Sequence, residues 1–127
     1  MFPRVARAPG PAELRTTAQE IAALLRSDRN AALRHGTEVV SRIDPTQRTV
    51  ASGASGAGVR VPNGIEIAFV QSSREMRGSS GGIRFLPGGG SSGGVLSLKR
   101  GTAGYDVSVN WLTGGVLVAQ AEGLAAP

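Results

Sequence analysis

Serine and histidine are the residues of this chain that are suited to nucleophilic chemistry. Residues 78–82 and 90–94 both match the Gly-x-Ser-x-Gly pattern, which exposes a nucleophilic serine on a turn between a strand and a helix. His35 is the single imidazole that is available as a base. Both serine segments are rich in glycine and serine and open no helical pattern, whereas His35 suits the last turn of a helix. A hydrolase that uses Ser80 or Ser92 with His35 is therefore the least favoured hypothesis.

The glycine spacing also resembles a nucleotide-binding pattern. Gly88, Gly90 and Gly93 have the spacing of the dinucleotide fingerprint and follow the apolar run 83–86. That fingerprint requires a helix next, because the pyrophosphate binds to N-terminal helix amides. Residues 95–99 instead alternate between apolar and polar side chains, as a strand does. The pattern favours a hairpin loop and predicts no cofactor.

The remaining composition excludes further site types. The chain has no cysteine, which excludes disulfides, thiolate nucleophiles and thiolate zinc sites. Its acidic residues are isolated along the chain, and the alternating positions of Glu66 and Asp106 predict that they face solvent. We predict no enzyme activity, no metal and no small-molecule substrate.

The charge of the chain is positive but dispersed. Lysine and arginine total 14 and the acidic residues total 9, which gives a net charge of +5, and aromatic residues make up only 4%. A nucleic-acid binder concentrates its charge along one surface and interleaves aromatic side chains for stacking. This pattern favours solubilising charge over a polyanion site.

One helix is predicted near the start of the chain. Residues 1–11 are rich in proline and predict a flexible leader. From residue 12 the apolar side chains recur at helical spacing up to residue 35, and Gly36 ends the pattern. We predict that one stripe of this helix packs against a sheet, with contact to a partner as the alternative; its members are Leu14, Ala18, Ile21 and Leu25.

After Gly36 the apolar period changes to two, which predicts short antiparallel strands. The prediction is an α+β fold in which one long N-terminal amphipathic helix packs on antiparallel sheets of about seven to eight short strands. The domain covers residues 12–120, with a β region over 37–120, and residues 121–127 form a flexible tail. Residues 52–58 and 71–81 are predicted to be loose polar connections. The expected strands cover residues 38–44, 48–51, 58–61, 65–70, 82–86, 95–99, 105–111 and 116–120.

The glycine-rich connection before the sixth strand has two interpretations. It is either a mobile loop that becomes ordered against a partner or a long solvated connection. Its residues are Gly88, Gly89, Gly90, Ser91, Ser92 and Gly93.

Four segments together resemble one protein family. They are the helix 14–32, the strand segment 36–40, the segment 83–94 and the late turn 113–116, and the likeness covers about residues 12–119. This combination is similar to the H-type minor pseudopilin of the type II secretion system, general secretion pathway protein H. It also resembles the related FimT-like minor pilins.

The resemblance implies the pseudopilin fold and a structural role. A protein of this kind lies near the tip of the pseudopilus and takes part in protein export across the outer membrane through protein–protein assembly. Its partners are other minor pseudopilins and the major pseudopilin. The family is held in the inner membrane by a single N-terminal helix, with this domain in the periplasm.

Two points of the resemblance are open. The prepilin start is not in the sequence, and residues 3–5 resemble the point at which the anchor ends. Residues 1–11 are therefore expected to be the remnant after a deleted anchor, and processing and methylation depend on family likeness alone. The alternative function is a DNA-binding FimT-like minor pilin of a type IV pilus. The net charge motivates it, and the tail 119–127, which has no basic residue, opposes it.

Overall fold

A computed structural model describes residues 11–71 and 81–121. The predicted leader except Pro11, most of the predicted tail and most of the 71–81 connection lie outside these residues, as does Ser80. The described residues form one helix, α1, followed by eight strands. Their bounds are α1 Pro11–His35, β1 Val39–Asp44, β2 Thr49–Ala51, β3 Gly58–Arg60, β4 Glu66–Val70, β5 Gly81–Phe85, β6 Gly94–Arg100, β7 Ala103–Val109 and β8 Val116–Gln120.

The charges and the end of α1 follow the usual physics of helix termini. Glu13 lies in the first turn, and Arg34 and His35 lie in the last turn. The negative charge of Glu13 and the positive charge of Arg34 are favourable to the helix dipole at these ends. Gly36 has a positive φ of 65°, and the N–H of Thr37 donates to the carbonyl of Ala32 at 3.3 Å. This glycine cap ends the helix where the sequence predicted it. Over the described residues, no helix combines the length and the apolar character that a bilayer span requires.

The strands form two antiparallel sheets. The first sheet has the order β3-β2-β1-β5 and the second has the order β4-β6-β7-β8. Helix α1 contacts strands of both sheets, and its apolar face completes a single core with them. The predicted α+β fold is confirmed, and each strand lies within two residues of its predicted bounds. The largest fully buried side chains outside α1 are Phe85, Ile43, Ile65, Ile83, Leu96 and Leu98.

Arg48 stabilises the connection between β3 and β4, where the chain first passes from the first sheet to the second. This residue follows the β1–β2 turn and has a positive φ of 60°. Its guanidinium donates to the carbonyls of Val61, Pro62 and Ile65, which lie between β3 and β4. The side chain thereby satisfies three backbone acceptors in the segment that changes sheets.

Candidate functional site

The apolar face of α1 is enclosed by the two sheets. Leu14, Ala18, Ile21 and Leu25 are each 0% exposed and belong to one apolar cluster with strand residues. The chain itself covers these four side chains. The surface that a partner can reach lies on the opposite side of the helix and on the outer faces of the sheets.

One carboxylate lies within this apolar face. Asp28 comes three positions after Leu25 and four before Ala32, so it occupies the buried stripe, and it is 0% exposed. Burial of a carboxylate is unfavourable unless hydrogen bonds replace its water. Asp28 was not among the residues that the sequence pattern predicted to be functional. The available signal was its position, because Asp28 fills the gap that the stripe leaves between Leu25 and Ala32.

Four donors replace the water around Asp28. Ser41 Oγ on β1 donates to Oδ2 at 2.6 Å, and the N–H of Gly53 donates to the same oxygen at 2.9 Å. Ser52 Oγ donates to Oδ1 at 2.5 Å, and the N–H of Ala54 does so at 3.4 Å. Each carboxylate oxygen therefore has two partners. Asp28 joins the helix, β1 and the connection after β2 at one point.

The connection after β2 lies tightly against β1. A Cβ on Gly53 would be 2.1 Å from the carbonyl oxygen of Val40, so a side chain at this position is excluded. Ser52 Oγ also accepts hydrogen bonds from the N–H groups of Ala54 and Ser55, at 3.1 and 3.0 Å. The prediction of a loose connection over 52–58 is wrong for residues 52–55. The reason is that the anchoring carboxylate lies 24 positions earlier in the chain.

The glycine-rich connection between β5 and β6 is anchored at both ends. The N–H of Leu86 donates to the carbonyl of Gly90 at 2.9 Å, and Ser92 Oγ accepts from the N–H of Arg84 at 2.9 Å. The N–H of Ser91 donates to the carbonyl of Trp111 at 2.8 Å. Binding of a partner by the loop stays a prediction. The loop residues of that prediction are Gly88, Gly89, Gly90, Ser91, Ser92 and Gly93; of these, Gly88 is exposed and Ser91 and Gly93 are buried.

The turn between β7 and β8, called here the closing turn (residues 110–115), is held from the helix. Arg29 Nε and Nη2 donate to the carbonyl of Thr113 at 3.2 and 3.0 Å. Arg26 Nη2 donates to the carbonyl of Val116 at 2.9 Å. A Cβ on Gly114 would lie 2.6 Å from the carbonyl oxygen of Gly89, so the closing turn also touches the glycine-rich loop. Helix, loop and turn therefore meet at Gly114.

The serines of the glycine-rich loop have structural partners. Ser91 Oγ donates to the carbonyl of Asn110 at 3.0 Å and accepts from the N–H of Gly93 at 2.9 Å. Ser92 Oγ accepts from a backbone amide, and β6 begins at Gly94, so neither the nucleophile pattern nor the dinucleotide pattern leads into a helix.

His35 is exposed at the end of α1. Asp106 is half-buried and accepts from Ser97 Oγ at 2.8 Å, whereas Glu66 is exposed as predicted.

An apolar groove lies at one end of the second sheet, and we call it the end groove. Val70, Val95, Ser108 and Leu117 are paired in one row across β4, β6, β7 and β8. Their strand neighbours face the core, so this row faces away from α1. The row and Trp111 line a cavity of about 380 Å³.

The comparisons with known proteins agree with this architecture. A family model described as type II transport protein GspH matches residues 17–114, from α1 to the closing turn. The chain belongs to this family. The predicted resemblance to H-type minor pseudopilins is thereby confirmed, and membership implies an envelope location with a periplasmic domain.

A related protein is the type II secretion system protein H of Xanthomonas campestris pv. campestris. It is 35% identical over 104 residues, which cover 81% of this chain and 61% of the relative. The chain thus spans about three fifths of the length of the curated relative that it matches.

Two kinds of solved structure share the fold. The minor pseudopilin EpsH from the type 2 secretion system of Vibrio cholerae matches with a TM-score of 0.65 and 17% identity, over 84% of this chain and 95% of that chain. The type IV minor pilin FimU of Pseudomonas aeruginosa matches with a TM-score of 0.61 and 16% identity, over 84% and 88%. The confirmed fold is therefore the pseudopilin fold.

Proposed function

We propose that this chain is a structural subunit of the type II secretion pseudopilus that lies near its tip. It takes part in protein export across the outer membrane by contacting other minor pseudopilins and the major pseudopilin. The observation that carries the proposal is the extent of the family match. It covers α1 from residue 17, strands β1 to β7 and the closing turn as far as Gly114, and Asp28 and Arg29 connect parts of this unit.

The contacts of the described polar residues support assembly rather than catalysis. The buried carboxylate of Asp28 is saturated by donors from its own chain, and Ser91 and Ser92 hold the glycine-rich loop. Within residues 11–71 and 81–121, no three histidine, cysteine, aspartate or glutamate side chains form a metal-binding group. We propose that the protein acts through its surfaces and catalyses no reaction.

The membrane link is part of the same proposal. H-type minor pseudopilins carry a single N-terminal helix that the inner membrane holds before assembly, and we propose the same for this protein. The described domain then lies in the periplasm, and the membrane helix precedes α1 in the chain. Prepilin processing and N-terminal methylation belong to this proposal and depend on the family.

Deletion of the gene in the source bacterium tests the proposal. We expect exported enzymes to accumulate in the periplasm, and the full-length gene to restore their release into the medium. The control is the His35→Ala variant, which should restore release fully because His35 is exposed at the end of α1 and the proposed function uses no base. Normal release in the deletion strain would contradict the proposal.

The second candidate is a DNA-binding minor pilin of a type IV pilus, favoured by the net charge of +5 and by the fold shared with FimU. Two of the described cations argue against it, because Arg48 donates to backbone carbonyls of its own chain and Arg84 lies 3.6 Å from Glu38. A mobility-shift assay at low salt separates the two functions. A shift that weakens steeply with added salt would favour the pilin, because phosphate contacts release counterions.

A further inference from the structure

Large exposed apolar side chains concentrate around the end groove. Of the six such residues among the described ones, Val70, Trp111 and Leu117 line the groove and are 58%, 64% and 63% exposed. Leu112, the neighbour of Trp111, is 65% exposed. Contiguous exposed apolar surface of this kind marks an interaction site, because a single folded domain gains nothing by leaving it in water.

Two cations of α1 reach the backbone that borders this apolar surface. Arg26 and Arg29 lie three positions apart on α1, a spacing at which like charges repel. The one ion pair among the described residues joins Arg84 and Glu38, so neither helix arginine has a carboxylate within 4.0 Å in that part of the chain. Arg26 donates to the carbonyl of Val116, which lies between the groove residues Gly115 and Leu117, and Arg29 donates to the carbonyl of Thr113, two positions before Gly115.

The arginines retain the capacity to bind an anion. Arg26 is exposed and uses only Nη2 for its contact with Val116, whereas a guanidinium carries five N–H donors. Its remaining donors match the two oxygens of a carboxylate. An apolar cavity bordered by a guanidinium with unused donors fits a ligand that has an apolar side chain and an acidic group close together.

We propose that the end groove with Arg26 and Arg29 is the docking site for a segment of another pseudopilus subunit that carries an apolar side chain beside a carboxylate. The proposal rests on the proposed function and adds the surface and the chemistry of the partner. The apolar side chain fills the space between Trp111 and Leu117, and the carboxylate pairs with Arg26. A second copy of this chain fits less well, because twofold symmetry would bring like charges together and the chain already carries +5.

Trp111 gives a direct test because it is the single tryptophan of the chain. The chain is labelled with 5-fluorotryptophan, so that fluorine NMR reports one resonance even when the partner contains unlabelled tryptophan. The probes are the periplasmic domains of the other pseudopilins encoded with the same secretion system, added one at a time. Calorimetry of the same mixtures measures binding independently of Trp111.

Matched variants separate the groove from the rest of the surface. Leu117→Ser and Arg26→Glu should each weaken binding of the cognate domain by about tenfold or more, the effect of removing a central interface residue. The controls are Leu33→Ser, an apolar helix residue that is 42% exposed, and Arg15→Glu, an exposed cation in an earlier turn of α1. Both controls should bind as the unmodified chain does, and thermal melting verifies that each variant is folded.

The expected result is that one domain shifts the Trp111 resonance and binds less tightly to both groove variants. Binding by calorimetry with an unchanged resonance and an unaffected Leu117→Ser variant would overturn the docking site and leave the proposed function intact. A resonance that shifts with the concentration of the chain alone would assign the groove to a second copy and overturn the proposal. Absence of binding to every domain by both methods would count against the proposed function itself.

Discussion

Replacement of Asp28 should have the largest effect of any polar substitution in the described domain. In Asp28→Ala, the donors of Ser41, Ser52 and Gly53 lose acceptors at 2.5 to 2.9 Å. Hydrogen bonds to a charged group contribute about 1.5 kcal/mol each at the lower end of their range, so for these three bonds we expect a loss of about 4.5 kcal/mol in the free energy of unfolding. In a domain of this size, that loss lowers the melting temperature by about 15 °C.

Asp28→Asn gives a graded version of the same perturbation. The amide keeps one oxygen as an acceptor but presents an NH₂ group to two of the donors, so we expect a loss of about 2 kcal/mol. Thermal melting followed by circular dichroism measures both variants, and hydrogen exchange of the Gly53 amide measures the local effect. Ser27→Ala is the matched control, because Ser27 is the exposed neighbour of Asp28 and its replacement should change stability by less than about 0.5 kcal/mol.

The triple variant Asp28→Ala, Ser41→Ala and Ser52→Ala tests the stated cause. Removal of both partners of a buried hydrogen bond costs less than removal of one, so the triple variant should recover part of the stability that Asp28→Ala loses. An Asp28→Ala variant that melts at the temperature of the unmodified domain would refute a stabilising role for this carboxylate. Equal exchange rates of the Gly53 amide in both proteins would refute it as well.

Three further substitutions test other contacts by thermal or denaturant unfolding. Gly53→Ala should destabilise the domain by about 3 kcal/mol or more, because its methyl group would meet a backbone oxygen at 2.1 Å; Gly58→Ala, whose methyl group would meet its nearest atom at 3.5 Å, should change stability far less. Gly114→Ala should lower the free energy of unfolding more than Gly36→Ala does. Both glycines have a positive φ, which costs about 1 to 2 kcal/mol for alanine. Only the methyl group at position 114 would also meet a carbonyl oxygen at 2.6 Å. Leu25→Ala should lose about 2 to 5 kcal/mol, because Leu25 is 0% exposed in the core. Equal losses within either glycine pair, or an unchanged Leu25 variant, would contradict the packing described here.

The local elements were predictable because their signals are local. The helical spacing of Leu14, Ala18 and Ile21 and the glycine at position 36 define α1 to within one residue. Alternating apolar residues between turn-forming residues defined all eight strands. The division into two sheets was not predictable, since β5 leaves its sequence neighbours to pair with β1 and no local pattern encodes that pairing.

The roles of the two helix arginines were not predictable either, because their contacts are with residues distant in the sequence. Arg26 and Arg29 lie among the polar residues of an amphipathic helix, and their acceptors are 90 and 84 positions later in the chain. Asp28 differs, because an acidic residue on an apolar stripe violates the pattern and thereby marks a buried junction. An isolated acid within a helical stripe is therefore a signal that can be searched for in other sequences.

The closing turn is supported through atoms that every amino acid shares. Arg29 and Arg26 contact the carbonyls of Thr113 and Val116, and Ser91 contacts the carbonyl of Trp111. Mutations at these three positions therefore leave those supports in place, whereas Gly114 is fixed by its crowded surroundings. The side chains at this end of the molecule can thus change during evolution, and binding specificity can change with them, while the backbone contacts that support the turn are kept.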